Sequence, residues 1–372
     1  MTASESGGSD GEDDLRDALD AYLRSKGKGP NNESGAYRRN AERELERFAD
    51  YLRDDGTTSL AEIDAGDLRN YIRDELTTRG LKPQTVHKYY GYVSAWIGWA
   101  QREGLVDEHY GIRTDAREPL PDRDGRTEER QQTWRREDRE AFLSYLDERA
   151  HEAIDADGTT AYAATRDRAL AYLLAFAGVR GAEVLAMPDD DRRDGANAGD
   201  LSNAVDALDV LGKSQAWETR AVPPQARPAI ERWLTVYDPE PEWPLFPSFH
   251  YPSLYDRLSD DVDSDALSGY SDIFAAFRDT DARPPALTTD GARRLFKRLC
   301  ADAAIEVAEG YLQLHGARRG VGRVLALQQG IDAAADQLDN SPEVVREAYS
   351  EVLASERAAK TGDAFEQHDG DE

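Results

Sequence analysis

Apolar positions recur at helical spacing along most of the chain. From Asp14 onward, Leu15, Leu19 and Leu23 share one face. After a Gly/Pro/Asn break at 27–32, Leu45, Phe48, Ala49 and Leu52 fall at i, i+3, i+4 and i+7. This spacing predicts a helix from Asp14 and another over Ala36–Leu52. A third is expected over Asp67–Thr78. A fourth starts at Pro83, whose fixed φ suits a first helical turn, and carries Val86, Tyr89, Tyr90, Val93, Ile97 and Ala100. Short connections join these into a four-helix unit, 14–106. Residues 107–133 are charged and proline-containing with no apolar period, which reads as a linker.

The pattern resumes near Glu137, with helices expected over 137–152 and 165–177. Val205–Leu211 and Thr219–Val222 then alternate around a polar turn containing Gly212 and Lys213, the one convincing hairpin signal. Helices return at 225–236, 289–304, 316–329, 331–338 and 342–354, making a second unit, 134–354. Between them, 237–285 is acidic, aromatic and proline-bearing, and is expected to be an irregular insertion. The fold class is mainly α with a small antiparallel β-sheet, in two domains, as 372 residues suggest. Residues 1–13 and 355–372 are acid-rich and poor in apolar side chains, and read as disordered tails.

Charge complicates the picture. The formal net charge is −28, the wrong sign for a protein that must neutralise phosphates. Yet 1–14, 189–200, 237–281 and 355–372 together carry −21 of it, leaving the rest only mildly acidic. Lysine is scarce and arginine supplies nearly all the positive charge. The composition resembles that of proteins from salt-accumulating halophiles, where the screening length falls to about 3 Å and only contact-range charges matter. Cys300 is the only cysteine, which excludes an internal disulfide and a thiolate metal cluster. The longest apolar run, 169–179, is well short of a membrane span and the N-terminus is acidic rather than basic, so a soluble cytoplasmic protein with no membrane partner is expected.

Against this background Leu314–Arg323, LHGARRGVGR, stands out, with four basic side chains and no acid. His315 and Arg318 lie at i, i+3 near a helix N-terminus, where backbone N–H groups also favour an anion. Read alone, the run is either a phosphate site or a solvated basic face. Arg180 sits on a Gly-flanked break after the apolar helix 166–177, an expensive place for a cation without an anionic partner, and Glu183 three residues on could hold it.

These residues resemble the tyrosine recombinases, the phage-type integrase and Xer-like family, here in a haloarchaeal form. AGVRGAEVLAM matches the family's first arginine motif at Arg180, and GKSQAWETRAVP matches its hairpin motif at Lys213. HGAR matches HxxR at His315 and Arg318. LDNSPEVVREAY resembles the closing motif, placing the nucleophile at Tyr349. KPQTVHKYYGYVSAWIGWA resembles part of the family's core-binding domain, so the likeness runs from about Asp14 to Leu353. The chain departs from the pattern at Asn340, where the family has His or Trp, and at Asp339, where it has Gly or Arg.

The resemblance implies a two-domain architecture: a helical core-binding domain and a mixed α/β catalytic domain. It implies a site-specific recombinase that cuts and rejoins double-stranded DNA through a 3′-phosphotyrosyl link, without metal, cofactor or ATP. In that scheme Tyr349 attacks, Arg180 and Arg318 clamp the phosphate, His315 exchanges protons, Lys213 protonates the leaving 5′-oxygen, and Asn340 donates to the phosphate with Glu183 behind Arg180. Lys82, Thr85, Lys88, Tyr89 and Arg319 are expected DNA contacts, and the active assembly is a homotetramer on DNA. A DNA-binding regulator or plasmid-maintenance protein weakened at Asn340, and a type IB topoisomerase, are the alternatives.

Overall fold

The computed structural model describes residues 10–27, 35–122, 131–190, 192–213, 215–258, 270, 272–280, 282–350, 354 and 358. These form two compact units, one holding the described residues up to 122 with 189, 190 and 192, the other holding the remainder.

The first unit is helical: α1 (Asp10–Lys26), α2 (Ala36–Asp54), α3 (Ala65–Tyr71), α4 (Pro83–Arg102) and the short α5 (Thr114–Arg117). The apolar spacing read from the sequence is the core. Leu15, Leu19, Leu45, Leu52 and Ile97 are buried, and Phe48 stands 4.8 Å from the Tyr71 ring and 6.1 Å from Trp96. Asp64 starts α3 by accepting from the N–H groups of Gly66 and Asp67, which satisfies two orphan donors of the first turn. Three expectations need correction here. Residues 10–13 belong to α1, so only 1–9 of the expected acidic tail lie outside the described residues. The helix expected over 67–78 turns π-helical at Ile72–Leu76. Much of the expected linker is folded: Ala116 is buried in this unit's core with Tyr110 and Leu120 packed against it, and the Tyr90 hydroxyl donates to the Gly111 carbonyl at 2.9 Å. Residues 123–130 of that linker lie outside the described residues.

The second unit is built around α7 (Tyr162–Ala177), whose Leu170, Leu173 and Leu174 are fully buried. It packs against α6 (Arg136–Asp157), α9 (Arg227–Tyr237) and α13 (Leu314–Gln328). A short helix α8 (Gly181–Val184) follows the break after α7. The hairpin comprises β1 (Ala207–Leu211) and β2 (Trp217–Ala221), antiparallel, with Leu211 opposite Trp217 and Leu208 opposite Arg220. The chain then runs through α10 (Tyr251–Leu258), α11 (Ile273–Asp279), α12 (Thr289–Asp302), α13, α14 (Ile331–Leu338) and a last helix, α15, over 342–350. The C-terminal tail expected over 355–372 lies outside the described residues, apart from Ala358.

The irregular insertion expected over 237–285 is instead partly core. Trp233 stacks on Tyr237 at 4.5 Å, and Trp243, Phe274 and Phe277 close an aromatic box around them, the two phenylalanines carried by α11. Its acidic stretch 259–269 lies outside the described residues. Residues 131–135, which span the end of the expected linker and the first residues of the expected second unit, lie along the start of α13: the Trp134 N–H donates to the Gly316 carbonyl at 3.1 Å and its indole N–H to that of Gln313 at 2.8 Å.

Candidate active site

Arg180 sits where the sequence placed it, on the break between α7 and α8. Gly178 ends α7 at φ 67°, a conformation L side chains rarely adopt, and a Cβ there would stand 2.9 Å from Leu338. The following residue pair therefore turns sharply, and Arg180 points back toward Glu183. Its guanidinium donates to Glu183 Oε1 at 2.6 Å, and its backbone N–H donates to Oε2 at 2.7 Å.

Glu183 is 3% exposed and serves a second arginine, since Arg220 of β2 donates to the same Oε1 at 2.9 Å. Burial alone would raise the Glu183 carboxyl, but the bonds from Arg220 and from Arg180 outweigh it and hold the group below the usual carboxylate range. Arg220, 4% exposed, also donates to Glu218 and reaches Asp339 at 3.3 Å. Sequence reading left Arg220 out of the site. The signal available was the strand's period of two, which turns Glu218 and Arg220 to one face and Trp217 and Thr219 to the other.

Arg318, on α13, is 3% exposed. Its guanidinium donates to the carbonyl of Gly178 at 2.7 Å, to the carbonyl of Leu338, and to Asn340 Oδ1 at 3.3 Å. Arg180 donates to that same oxygen at 3.1 Å. Two guanidinium groups thus converge on one amide oxygen. Burial, together with Arg180, pushes the Arg318 guanidinium down to about 10, so it stays cationic at neutral pH. Asn340 follows Asp339, which holds the left-handed φ of 46° that ends α14 and which itself reaches Arg220.

Tyr349, on α15, is 8% exposed and packs with Ala326, Ala334, Ala335 and Val345. Its hydroxyl donates to the Arg319 carbonyl at 3.2 Å. Burial raises the phenol, and Arg318 and Arg319 oppose that rise. The ring fits only because residue 322 is glycine, where a Cβ would meet the Tyr349 hydroxyl and Leu338 Cδ1. The Arg319 side chain donates to the Gln132 carbonyl at 3.0 Å.

His315 has an exposed side chain beside this cluster. Desolvation by the surrounding protein, then Arg319, Arg318 and Arg180, lower its imidazole to about 4. The ring is therefore neutral at pH 7. Lys213 is exposed at the hairpin turn and no described contact draws it into the cluster. Lys82 and Lys88 are exposed on the first unit, with Thr85 and Tyr89 half-buried, and Arg79 lies 5.1 Å over the Tyr89 ring. Among the described residues no three His, Cys, Asp or Glu side chains group as a metal site, and no helix is long and apolar enough to cross a membrane.

Glu183 makes a specific prediction about acid stability. Because its folded-state pKa is depressed, the unfolded chain takes up the proton first as pH falls. Its contribution is therefore fully present above the ordinary carboxylate value and is lost as pH drops through the lower folded value. Glu183→Gln is expected to destabilise the protein by about 2 to 4 kcal/mol at neutral pH, by leaving Arg220 underpaired in the interior, and to flatten this acid limb. Urea midpoints measured against pH check it, and an unchanged limb would show that Glu183 is not the titrating group.

No protein-family model and no curated protein matches this sequence. Solved structures do. The structure of XerH site-specific recombinase bound to a palindromic difH substrate, a post-cleavage complex, superposes with a TM-score of 0.59 at 14% identity, covering 98% of this chain and 100% of that one. The Tn1549 transposon integrase in complex with a circular intermediate DNA gives 0.54 at 14%, over 92% and 99%. A lambda integrase dimer on a COC′ core site gives 0.51 at 12%, over 90% and 94%. At such identities the likeness is one of fold: a mainly helical chain with a two-stranded antiparallel sheet, this protein has the fold of the tyrosine recombinases.

Proposed function

We propose that this protein is a tyrosine-type site-specific DNA recombinase or integrase. The observation that carries the reading is the convergence of Arg180 and Arg318, 160 and 22 residues from Asn340, on that residue's single amide oxygen. Tyr349 stands close enough for Arg318 and Arg319 to act on its phenol. Arg180 keeps Glu183 as its carboxylate partner, but the described hydrogen bonds of buried Arg318 all go to neutral acceptors, an unfavourable setting for a cation unless an anion joins it. A phosphodiester's non-bridging oxygens fit, because two forked guanidinium groups present parallel donors to them.

In the reaction, the Tyr349 oxygen forms a bond to phosphorus and the bond from phosphorus to the 5′-oxygen breaks, leaving a 3′-phosphotyrosyl link and a 5′-hydroxyl. A phenol of pKa about 10 costs roughly 4 kcal/mol to ionise at pH 7. On this reading His315, neutral for the reasons above, takes that proton, and Lys213 supplies one to the departing oxygen. The arginines stabilise the added charge at phosphorus, each by about 3 to 4 kcal/mol by analogy with oxyanion donors. The bond energy is kept in the ester, so a second 5′-hydroxyl can reverse the step. DNA is the partner on this reading, and a homotetramer on DNA the working assembly. The acidic tails and loops fit a cytoplasm of concentrated salt, where contact-range hydrogen bonds outlast long-range attraction.

The test is to incubate the protein in high salt with nicked duplex fragments covering the DNA on both sides of its own gene. Denaturing gels and peptide mass mapping should find DNA joined to Tyr349, whereas a covalent adduct on any other residue would overturn the assignment.

One observation favours a second reading, a binding protein with little turnover. The Asn340 side chain turns its oxygen to the arginines, where the matching position in the family carries a His or Trp donor. Asn340→His is then expected to raise adduct formation by about tenfold, the equivalent of one charge-assisted contact. Equal rates for the two would leave the first reading without this weakness.

A further inference from the structure

Trp217 opens β2 beside the hairpin turn and is 67% exposed. Of the six tryptophans in the chain, Trp96, Trp134, Trp233 and Trp243 are buried and Trp99 is half-buried. An indole left in water loses about 25 cal/mol for every Å² that folding could have covered. Nothing within the hairpin needs it there: its cross-strand neighbour is Leu211, and Thr219 on the same face is spent on Asp209 at 2.6 Å.

The turn that carries Trp217 is held firmly. The Gly212 N–H donates to the Ala216 carbonyl at 2.8 Å and the Gln215 N–H donates to that of Gly212 at 3.1 Å. Arg193 pins the base of the turn, donating to the Leu211 carbonyl at 2.8 Å and to the Gly212 carbonyl at 2.6 Å. Of the hairpin's acids, Asp209 stays on the outer face, tied to Thr219. Lys213 is exposed at the tip, whereas the adjacent acid, Glu218, faces inward to Arg220. The hairpin therefore carries an exposed cation at Lys213 and, four residues on, an exposed aromatic ring at Trp217.

We propose that Trp217 is a DNA contact, its indole packing on deoxyribose and base-edge carbons in a duplex groove next to the strand that Lys213 serves. This rests on the recombinase reading. A second copy of the chain is the weaker occupant. A specific protein interface buries about 1,200 to 2,000 Å², and beyond Trp217 the outer face of β2 continues only as Thr219 and Ala221. DNA needs no such area from one element, because phosphate contacts supply most of the affinity.

Trp217 can report on itself. In a Tyr349→Phe background, which reads binding without strand cleavage, a mixed-sequence duplex oligonucleotide is titrated into the full chain and long-wavelength tryptophan emission is followed. Quenching is expected with Trp217 present and absent in Trp217→Phe. Trp217→Ala should weaken duplex affinity about five- to thirtyfold, the range for a buried aromatic anchor, with an unchanged far-ultraviolet spectrum. Unquenched emission with unaltered affinity, in a protein that still forms the Tyr349 adduct, would overturn this proposal alone. An emission shift that follows protein concentration without DNA would assign the ring to a second copy and overturn it too. If the wild-type chain neither binds duplex nor forms the adduct, the recombinase reading itself fails.

Discussion

Tyr349→Phe should abolish the covalent protein–DNA adduct altogether, while leaving a folded protein that still binds the same DNA. The change removes one oxygen, and on the proposed mechanism that oxygen is the atom that joins to phosphorus, so no slower route through this side chain survives. The structural consequence is small. The hydroxyl's one described bond, to the Arg319 carbonyl, is long at 3.2 Å, and a neutral hydrogen bond of this kind contributes about 0.5 to 1.5 kcal/mol. The ring stays between Ala326, Ala334 and Val345 and keeps its seat over Gly322. Thermal unfolding run beside the adduct assay separates the two effects. A variant that melts like the wild type but forms no adduct supports the nucleophile, and adduct in Tyr349→Phe would remove Tyr349 from the mechanism.

Arg318→Ala carries the second large effect, and here stability and chemistry fall together. Its guanidinium satisfies the carbonyls of Gly178 and Leu338 from within the protein. Truncation leaves both acceptors unpaired around a new cavity, expected to destabilise by about 3 to 5 kcal/mol. The rate of adduct formation should drop by about a hundred- to a thousandfold from the lost phosphate contact alone. Arg318→Lys keeps the charge but cannot serve two carbonyls and an anion from one planar fork. It should recover much of the stability and little of the rate. Full activity in the lysine variant would mean that a point charge suffices and that the fork geometry is incidental.

The parts of this arrangement that the sequence made legible are those governed by local rules. The helix over 331–338 is found with the same limits, the hairpin lies within a residue or two of its expected strands, and the glycine-flanked arginine at 180 is on a break between helices. Each depends on periodicity or on a φ angle that one residue type supplies. What stayed hidden depends on partners far along the chain. The segment 237–285 looked irregular because its aromatics have no helical period of their own; they fill a box with Trp233 from α9. Gln132 reads as linker because its partner Glu309 lies 177 residues away. Arg220 was one inward position on a short strand, and only the fold reveals the buried carboxylate it meets.

The three oxygens around Arg318 belong to residues 178, 338 and 340, so its setting is drawn together from 140 residues upstream and about 20 downstream. A chain still emerging from the ribosome has Arg180 long before the turn at 338–340 that orients the pair, and Arg318 about 20 residues before it. During synthesis the clamp is therefore unfinished until nearly the last helix is made, and Tyr349 arrives later still. A truncated product ending before residue 338 would keep the hairpin and most of the core yet lack Tyr349, the nucleophile proposed above. For a protein proposed to cut and rejoin DNA, incompleteness is then a safe state.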